Sequence, residues 1–559
     1  MDRAEGTILN ANGKRIEPCV AVVLAILSIA SLFWFYAHDE LLLYGDAVAH
    51  INIARRVIDN RSWLSSFFQL GTVWLPLQHV AMLPFIWNHK LWQSGIAGSI
   101  PSMVAYVLGG LGIFRLVRGI ISTLSAKSPD KGGAPKFTNL SACIATATYA
   151  LNPNLLYLQS TAMNEPIFLA FFIWAIVYLQ QILHANSERP SAERTSLTRE
   201  RALERCGICL AGGALTRYDG WFTATVIGAI VVVIVLRWLR REDDRLRRHA
   251  LAKSLIEFLL LNALVPVFWL AYNQNGSGRA MDWANGPYSA KAIAERTTER
   301  GAPPYPGKDR PAVAAAYFLK AAQLNVGNEF WGKLMLVLAL MGTAVAVWQF
   351  RRYGLLLLLW LPLIFYGLSI AYGSVPIFIP VWWPFSYYNV RYGLELLPVS
   401  AVFPVLLAMF VSRLSTPRRE VPAFMLLIAC VAVSYAHAWA GAPITLREAR
   451  ANSRTRLAME EALAKLLLTT PKHSTILMYE SAHVGALQRA GIPLKNVISE
   501  NSHPDWEWAL LDPARKADYV IAFHGDPVWL AAKQHRDKLK EVMAIAVPGQ
   551  ERCAIYAPR

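Results

Sequence analysis

Two side chains that can move a proton stand four residues apart, directly after the first hydrophobic segment of the chain. They are Asp46 and His50, in the stretch Tyr44-Gly45-Asp46-Ala47-Val48-Ala49-His50. An ionisable group beside the lipid phase is costly to keep, so its presence predicts a functional site. A carboxylate there can take the proton of an attacking hydroxyl as a general base. Asp46 also suits the start of a helix, where an acid caps backbone amides and meets the positive end of the helix dipole.

His50 leaves three roles open. Residues four apart share a helix face, so His50 can bind donor or acceptor beside Asp46, share a divalent metal with it, or pack at the membrane interface. Two ligands fall short of the three or four that zinc takes, and His79 and His89 follow no ligand spacing. The sequence therefore identifies no certain cofactor and leaves a divalent metal open.

Two arginines, Arg217 and Arg391, flank apolar runs and can supply positive charge. A guanidinium fork binds phosphate through paired hydrogen bonds. Holding a departing phosphate stabilises charge that grows in the transition state, which raises the rate. The alternative is that both side chains snorkel to lipid headgroups.

The composition places most of these residues in or near a membrane. Of the 559 residues, 55% are hydrophobic and 17% charged, and the mean hydropathy is +0.32. That is too apolar for a soluble protein of this length. The net charge of +17 comes from short basic loops between apolar runs, which the positive-inside rule places in the cytoplasm, so we predict no nucleic-acid binding.

Apolar runs of about 20 residues predict about eleven transmembrane helices. The first runs outward from a cytoplasmic N-terminus, and the basic segments then alternate onto the cytoplasmic side: Arg115 to Lys136, Arg189 to Arg205, Arg237 to Lys253, Arg351-Arg352 and Arg413 to Arg419. Residues 185 to 202 are predicted to be a polar linker. The helices are placed at residues 18–37, 97–117, 140–158, 165–184, 204–218, 221–240, 254–272, 331–350, 354–373, 393–413 and 422–439.

This topology puts the candidate chemistry on the outer face. Two long loops, 38–96 and 273–330, lie there with the Trp- and Tyr-rich stretch 374–392 and the tail. In the first loop, residues 46–60 carry an apolar stripe with polar residues off it, which predicts a helix lying in the membrane interface. Residues 74–92 predict a second interfacial helix, with a short membrane span as the open alternative.

The tail predicts a soluble α/β domain at 441–559, after a transmembrane domain at 1–440. A charged amphipathic helix (446–468) comes first, and apolar strands then alternate with helical stretches, which favours a mainly parallel sheet. No Gly-rich phosphate loop is present in the tail. The expected fold class is thus a polytopic α-helical membrane protein with a C-terminal α/β domain.

Five motifs taken in order resemble the GT-C superfamily of membrane glycosyltransferases, and within it the protein O-mannosyltransferase and lipid A aminoarabinose transferase group. Each motif alone is weak, and the resemblance covers roughly residues 18–440. The motifs are Gly45-Asp46, Trp74-Leu75-Pro76-Leu77, Asn164-Glu165-Pro166, Leu215-Thr216-Arg217-Tyr218-Asp219-Gly220 and Arg391-Tyr392-Gly393-Leu394-Glu395-Leu396-Leu397-Pro398.

The resemblance implies a role for each motif residue. Asp46 matches the catalytic acid of the first loop, and Glu165 matches a second acid that orients the acceptor or binds metal, although acids are also ordinary at helix starts. Arg217 and Arg391 match cations that receive the lipid phosphate, and the relatives often have Lys at the first position. Asp219 and Tyr392 are further substrate-binding candidates, but Asp219-Gly220 more readily forms a tight turn between helices.

The resemblance, taken with these features, implies an inverting glycosyltransferase in the bacterial inner membrane. Like the relatives, it is expected to use a polyprenyl-phosphate-linked sugar as donor and to transfer the sugar to a lipid, glycan or protein acceptor on the periplasmic face. A transporter or flippase of lipid-linked glycans is the alternative outside the enzymes, but transporters place charges near the midplane and show paired halves. An oligosaccharyltransferase is the nearer rival, and it is expected to have paired acids in the first loop.

Overall fold

A computed structural model describes residues 2–60, 66–126, 138–184, 192–297, 303–414, 420–471 and 473–559. Nine stretches in these ranges are long and apolar enough to cross a membrane, so the protein is a multi-pass membrane protein. These stretches are Ile16–Ala37, Ile96–Ile121, Glu165–Leu183, Tyr218–Leu239, Arg245–Ser277, Glu329–Trp348, Phe350–Tyr372, Val390–Ser412 and Pro422–Leu467.

The two remaining predicted spans differ from the structure. Residues 140–158 form two short helices, Thr138–Ala150 and Pro153–Gln159, because Asn152 caps a new helix with Pro at its first position. The predicted span 204–218 belongs to the longer helix Ala192–Ala214. That helix also contains residues 192–202 of the predicted polar linker. Residues 185–191 lie outside the described residues, as do residues 127–136 and 415–419 of two predicted basic segments.

The first outer loop contains a buried helix, Gly45–Ile58, which we call the Asp46 helix. The prediction that its polar side is exposed is wrong. His50 and Arg55 are buried together with its apolar face, because other segments cover it on several sides. The predicted second interfacial helix consists of two short helices, Leu77–Ile86 and His89–Ser94, and neither is long enough to span a membrane.

The second outer loop also contains a helix that the sequence pattern missed. Pro311–Val326 is largely buried and packs against the 3₁₀ segment Val390–Leu396, which carries the last motif. Gly393 lies directly against the backbone of Ala321 and Ala322, and a side chain at Gly393 would collide with that backbone. Glycine at this place therefore lets the motif segment reach its neighbouring helix. Two short helices, Asp282–Asn285 and Ala290–Thr297, precede it.

The tail begins with the helix Ile444–Leu467, which we call the tail helix, and continues into a five-stranded sheet. The strands are β1 (Ile476–Met478), β2 (Val497–Ile498), β3 (Tyr519–Phe523), β4 (Leu539–Ile545) and β5 (Cys553–Pro558), in the order β2-β1-β3-β5-β4. β1 is parallel to β2 and β3, whereas β5 is antiparallel to β3 and β4. The sheet is thus mixed rather than mainly parallel, since only β4 and β5 follow each other without a helix between them. The helices between the strands are Val484–Ala490, Asp505–Leu511, Pro513–Lys516 and Pro527–Gln534.

Buried polar groups join the tail to the Asp46 helix. Asn52 donates to the side chain of Gln488 (2.8 Å) and accepts from the Trp92 indole (3.1 Å), while Gln488 donates to the Trp92 carbonyl (2.7 Å). Near the other end of the helix, Arg56 contacts Glu480 at 3.4 Å. A closed network of buried hydrogen bonds is costly to open, so the tail holds the helix that begins with Asp46.

Glu480 makes this contact sensitive to pH, and we expect Glu480→Gln to stabilise the protein at pH 8. Burial raises the pKa of Glu480 to about 7 from 4.5, against the opposing effect of Arg56 and with a further increase from Glu500. A folded-state pKa above the unfolded value gives stability that is complete below pH 4.5 and is lost as the pH rises through 7. The amide stays neutral, so its advantage is on the order of 2–3 kcal/mol at pH 8 and vanishes near pH 4.5.

Thermal unfolding in detergent, followed from pH 4.5 to pH 8, measures this difference. The matched control is Glu461→Gln on the exposed side of the tail helix, which should follow the wild-type curve. A pH-independent difference between Glu480→Gln and the wild type would contradict the assignment.

Candidate active site

Arg391 lies at the centre of a buried cluster of charges on the 3₁₀ segment Val390–Leu396. Its Nε donates to Glu165 at 3.0 Å and its Nη2 to Asp46 at 2.5 Å. Nη1 is 3.8 Å from Glu448 of the tail helix, which is too long for a hydrogen bond. Three separate parts of the chain thus place a carboxylate around one guanidinium.

Arg217 lies beside Arg391, and all three of its guanidinium nitrogens are occupied. Nε donates to Asp219 at 3.1 Å, and Nη1 donates to Asn164 at 2.6 Å and to Glu165 at 3.3 Å. Nη2 donates to the Tyr366 hydroxyl at 2.7 Å and lies 3.2 Å from Glu395. This guanidinium has no nitrogen left for an additional ligand.

Glu165 joins the two arginines. One oxygen, Oε1, accepts from both Arg391 and Arg217, and the residue is fully buried at the start of the helix Glu165–His184. The Tyr392 ring also joins them, since both guanidinium carbons lie about 5 Å from its centroid, at 5.0 Å for Arg391 and 4.9 Å for Arg217. Cations over an aromatic face are attracted to it, so the carboxylate and the ring together set the spacing of the two charges.

The tail helix contributes directly to the cluster through Glu448. Its two carboxylate oxygens accept from the backbone amides of Val390 (3.1 Å) and Arg391 (3.3 Å), and the Tyr44 hydroxyl donates to it at 2.9 Å. The Tyr44 ring lies 5.2 Å from the Arg391 guanidinium. Glu448 therefore orients the backbone of the segment that carries Arg391.

Asp46 is the accessible acid of the cluster. Its side chain is 40% exposed, whereas those of Glu165 and Glu395 are 0% exposed and those of Asp219 and Glu448 are 3% and 1% exposed. The five carboxylates outnumber the two guanidiniums, so the cluster compensates its arginines without any further anion. A ligand that approaches from the open side meets Asp46 and the adjoining edge of Arg391.

Two alternatives from the sequence are decided by the local geometry. Asp46 does not cap its helix, because Tyr44 is the N-cap residue and the Asp46 carboxylate, in the first turn, contacts Arg391. Asp219-Gly220 is not a turn between helices but the first turn of the helix Tyr218–Leu239. Gly220 lies against the backbone of Gly213, where a side chain would collide, so glycine permits the close approach of the two helices.

His50 does not join the carboxylates. Its Nδ1 lies 2.8 Å from Nε2 of His79, and its ring lies 4.8 Å from that of Trp74. Within the described part of the chain, no three His, Cys, Asp or Glu side chains converge as metal ligands do. The surroundings of His50 thus give no support for metal binding. The sequence-based candidates that contact one another in the cluster are Asp46, Glu165, Arg217, Asp219, Arg391 and Tyr392.

Sequence reasoning missed three members of the cluster. Glu395 lies in an apolar span, where a charge is costly to bury, and this could have identified it as a site residue. The sequence indicated it only as part of the motif that begins at Arg391. The Tyr366 hydroxyl lies 3.0 Å from Asp219 and 2.7 Å from Glu395 and can donate its one hydrogen to either of them. A tyrosine in an apolar run carries no signal of such a role. Glu448 is one of several acids in an amphipathic helix, and only the packing of that helix shows that it points inward.

Replacing Glu165 with Gln should destabilise the protein by about 1–3 kcal/mol, the cost of leaving a buried polar group without a partner. Oε2 of Glu165 is buried and has no hydrogen-bond partner among the described residues, so the amide group of Gln would place unpaired donors there. Thermal unfolding in detergent measures the loss. Glu461→Gln again serves as the exposed control, and an unchanged midpoint for Glu165→Gln would remove Glu165 from the centre of the network.

The fold is similar to that of ArnT, a protein of known structure. ArnT from Cupriavidus metallidurans bound to undecaprenyl phosphate superimposes with a TM-score of 0.55 at 11% identity, covering 96% of this chain and 97% of that chain. The apo state of ArnT gives 0.51 at 11% identity, covering 98% of each chain. The apo oligosaccharyltransferase of Archaeoglobus fulgidus gives 0.47 at 11% identity, covering 91% and 69%, which is too low to carry an argument.

No protein-family model and no curated protein matches the sequence. The likeness to ArnT, at 11% identity, shows the fold alone. The predicted fold class, a polytopic helical membrane protein followed by a small α/β region, is confirmed, and its fold is like that of ArnT. The activity rests on the site and is treated as a proposal, because one fold can carry unrelated chemistry.

Proposed function

We propose that this protein is a GT-C-type glycosyltransferase that moves a sugar from a polyprenyl-phosphate donor to an acceptor hydroxyl, with inversion. The observation that carries the proposal is the contact between Asp46, the accessible acid, and Arg391, the guanidinium with free donors. Such a pair holds a base and a phosphate ligand side by side at the end of a membrane span. The undecaprenyl phosphate bound to ArnT, which shares this fold, supports a polyprenyl-phosphate donor.

Arg391 is the better phosphate ligand of the two arginines. A guanidinium has five N–H groups, and Arg391 uses only Nε and Nη2 in hydrogen bonds within the described structure. Nη1 and the second Nη2 hydrogen can therefore donate to phosphate oxygens. Arg217 has every nitrogen engaged, so we assign it to positioning Arg391 and Tyr392.

The contact between Asp46 and Arg391 must open when substrates bind. In an inverting transfer the attacking hydroxyl and the departing phosphate lie on opposite faces of the anomeric carbon. The base and the phosphate ligand are then separated by the sugar, whereas here they are 2.5 Å apart. The phosphate replaces Asp46 on Arg391, and the released carboxylate accepts the proton of the attacking hydroxyl while the sugar–phosphate bond breaks.

The buried acids have a supporting role in this proposal. Glu165, Asp219 and Glu448 hold the two arginines and the Arg391 backbone in place, and they are too deeply buried to reach an acceptor. Tyr392 is only partly buried, so its ring can contact the sugar beside the guanidiniums. The membrane orientation follows the sequence prediction: the N-terminus is cytoplasmic, and the site and the tail face the periplasm.

Transfer from lipid-linked sugars tests the proposal. A strain that lacks the protein should accumulate one polyprenyl-phosphate sugar in its membranes, and the purified protein should transfer that sugar to an acceptor from the same cells. Mass spectrometry of the lipid fraction and of the product identifies both. If the lipid-linked sugar accumulates on only one leaflet and the purified protein moves it without transfer, the protein is a flippase and the proposal is wrong.

A further inference from the structure

Two buried histidines, His50 and His79, form a pair that has no role in the proposed transfer step. His50 of the Asp46 helix is 2% exposed, and His79 of the helix Leu77–Ile86 is 0% exposed. Nδ1 of His50 and Nε2 of His79 are 2.8 Å apart, a hydrogen-bond distance. Neither ring forms an ion pair with a carboxylate in the described residues, so each acts through hydrogen bonds rather than through charge.

The surroundings of both rings favour the neutral imidazole. Burial, with the guanidiniums of Arg391 and Arg217 nearby, lowers the pKa of His50 to about 3. Burial also lowers the pKa of His79. A neutral imidazole has one N–H donor and one lone-pair acceptor, so the 2.8 Å contact requires that one ring donates and the other accepts.

The surroundings of His79 decide which ring donates. Its Nε2 faces His50 and its Nδ1 is buried without a hydrogen-bond partner in the described part of the chain, while the Leu70 backbone, as an acceptor, raises the pKa of the ring against the larger effect of burial. An acceptor on the side away from His50 favours a proton on Nδ1, which leaves the lone pair on Nε2. His50 therefore donates through Nδ1–H, which leaves the lone pair of His50 on Nε2.

We propose that Nε2 of His50 accepts a hydrogen bond from a sugar hydroxyl, and that His79 is the positioning residue that holds His50 in this tautomer. Nε2 has no hydrogen-bond partner among the described residues, and His50 lies one turn after Asp46 on the same helix. This inference rests on the proposed transferase function for the identity of the ligand. A lone pair repels phosphate, so the substrate lies with its phosphate at Arg391 and a hydroxyl at His50.

Nitrogen NMR of the full-length protein, labelled with ¹⁵N in the histidine rings, tests the tautomer without any activity. Protonated and unprotonated ring nitrogens have separate chemical shifts, and the His50 signals are assigned by their loss in His50→Gln. We expect Nε2 of His50 to be unprotonated in the wild type. A proton on Nε2 in the wild type would overturn the proposal whether or not the protein is a transferase.

Variants of His79 test its positioning role. In His79→Leu the acceptor of the His50 Nδ1–H is lost and the tautomer should change, whereas the side-chain carbonyl of His79→Gln can accept and should restore it. His89→Leu, a change of an exposed histidine on the neighbouring helix, is the matched control. If His50 keeps the same tautomer in His79→Leu, His79 does not set it.

Transfer kinetics test the ligand and separate its two sources. His79→Leu should raise one KM about tenfold, the effect of one lost hydrogen bond, with a smaller change in kcat, and His79→Gln should lie near the wild type. A raised KM for the lipid-linked donor assigns the hydroxyl to the donor sugar, and a raised KM for the acceptor assigns it to the acceptor. An active His79→Leu variant with unchanged KM values for both donor and acceptor would refute the proposed orientation of the substrate. Weaker binding of bare undecaprenyl phosphate to His79→Leu would also refute it.

Discussion

Asp46→Asn is expected to reduce sugar transfer by about a thousandfold, within the 10²–10⁴ range that general bases contribute. Asn keeps the size of the side chain and an oxygen that can accept from Arg391, but it cannot take a proton. The side chain is 40% exposed, so the substitution should leave insertion and folding intact. Release of product from a labelled lipid-linked sugar, at saturating donor and acceptor, measures the effect on kcat.

Asp39→Asn is the matched control for this change. Asp39 is exposed in the same outer loop and has a positive φ of 57°, a conformation that Asn adopts as readily as Asp. Its activity should equal that of the wild type. Full activity of Asp46→Asn would show that Asp46 is not the general base and that another acid has this role.

Arg391→Lys should reduce transfer by about 10²–10³-fold, the effect of losing one preorganised donor to a developing anion. A lysine ammonium is a single point charge and cannot contact Asp46, Glu165 and a phosphate with the geometry of the guanidinium fork. We expect the KM of the donor to rise while the KM of the acceptor stays unchanged. Initial rates with each substrate varied in turn separate the two.

Lysine is preferred to alanine in this test because it keeps the charge. Arg391→Ala would leave Glu448 without its cation and Glu165 with only one of its two, and the loss of a buried cation costs about 3–5 kcal/mol, so inactivity could reflect unfolding. The control is Arg450→Lys on the tail helix, where Arg450 is 53% exposed beside Glu40. A raised acceptor KM with an unchanged donor KM in Arg391→Lys would place Arg391 on the acceptor side.

The sequence predicted the candidate site better than it predicted the roles within it. Asp46, Arg217 and Arg391 stand out because charged residues at the ends of apolar runs are rare and costly, whereas Glu165 stands out only through the resemblance of its motif. Their mutual contacts were not predictable, since Arg391 reaches Glu165 across 226 positions and Asp46 across 345. The sequence could not show that every guanidinium nitrogen of Arg217 has a hydrogen-bond partner while Arg391 keeps free donors. The partners of Arg217 include Tyr366 and Glu395, whose roles no local sequence pattern indicates.

The amino-acid sequence by itself determined the membrane class, nine of the spans and the alternation of strands and helices in the tail, because hydrophobic period and length are properties of consecutive residues. The tertiary structure decided that the Asp46 helix is buried, that Glu448 of the tail helix reaches Arg391, and that His50 pairs with His79. These outcomes depend on how distant segments pack against one another. A helix with one apolar stripe looks the same in sequence whether its polar side meets water or another part of the protein.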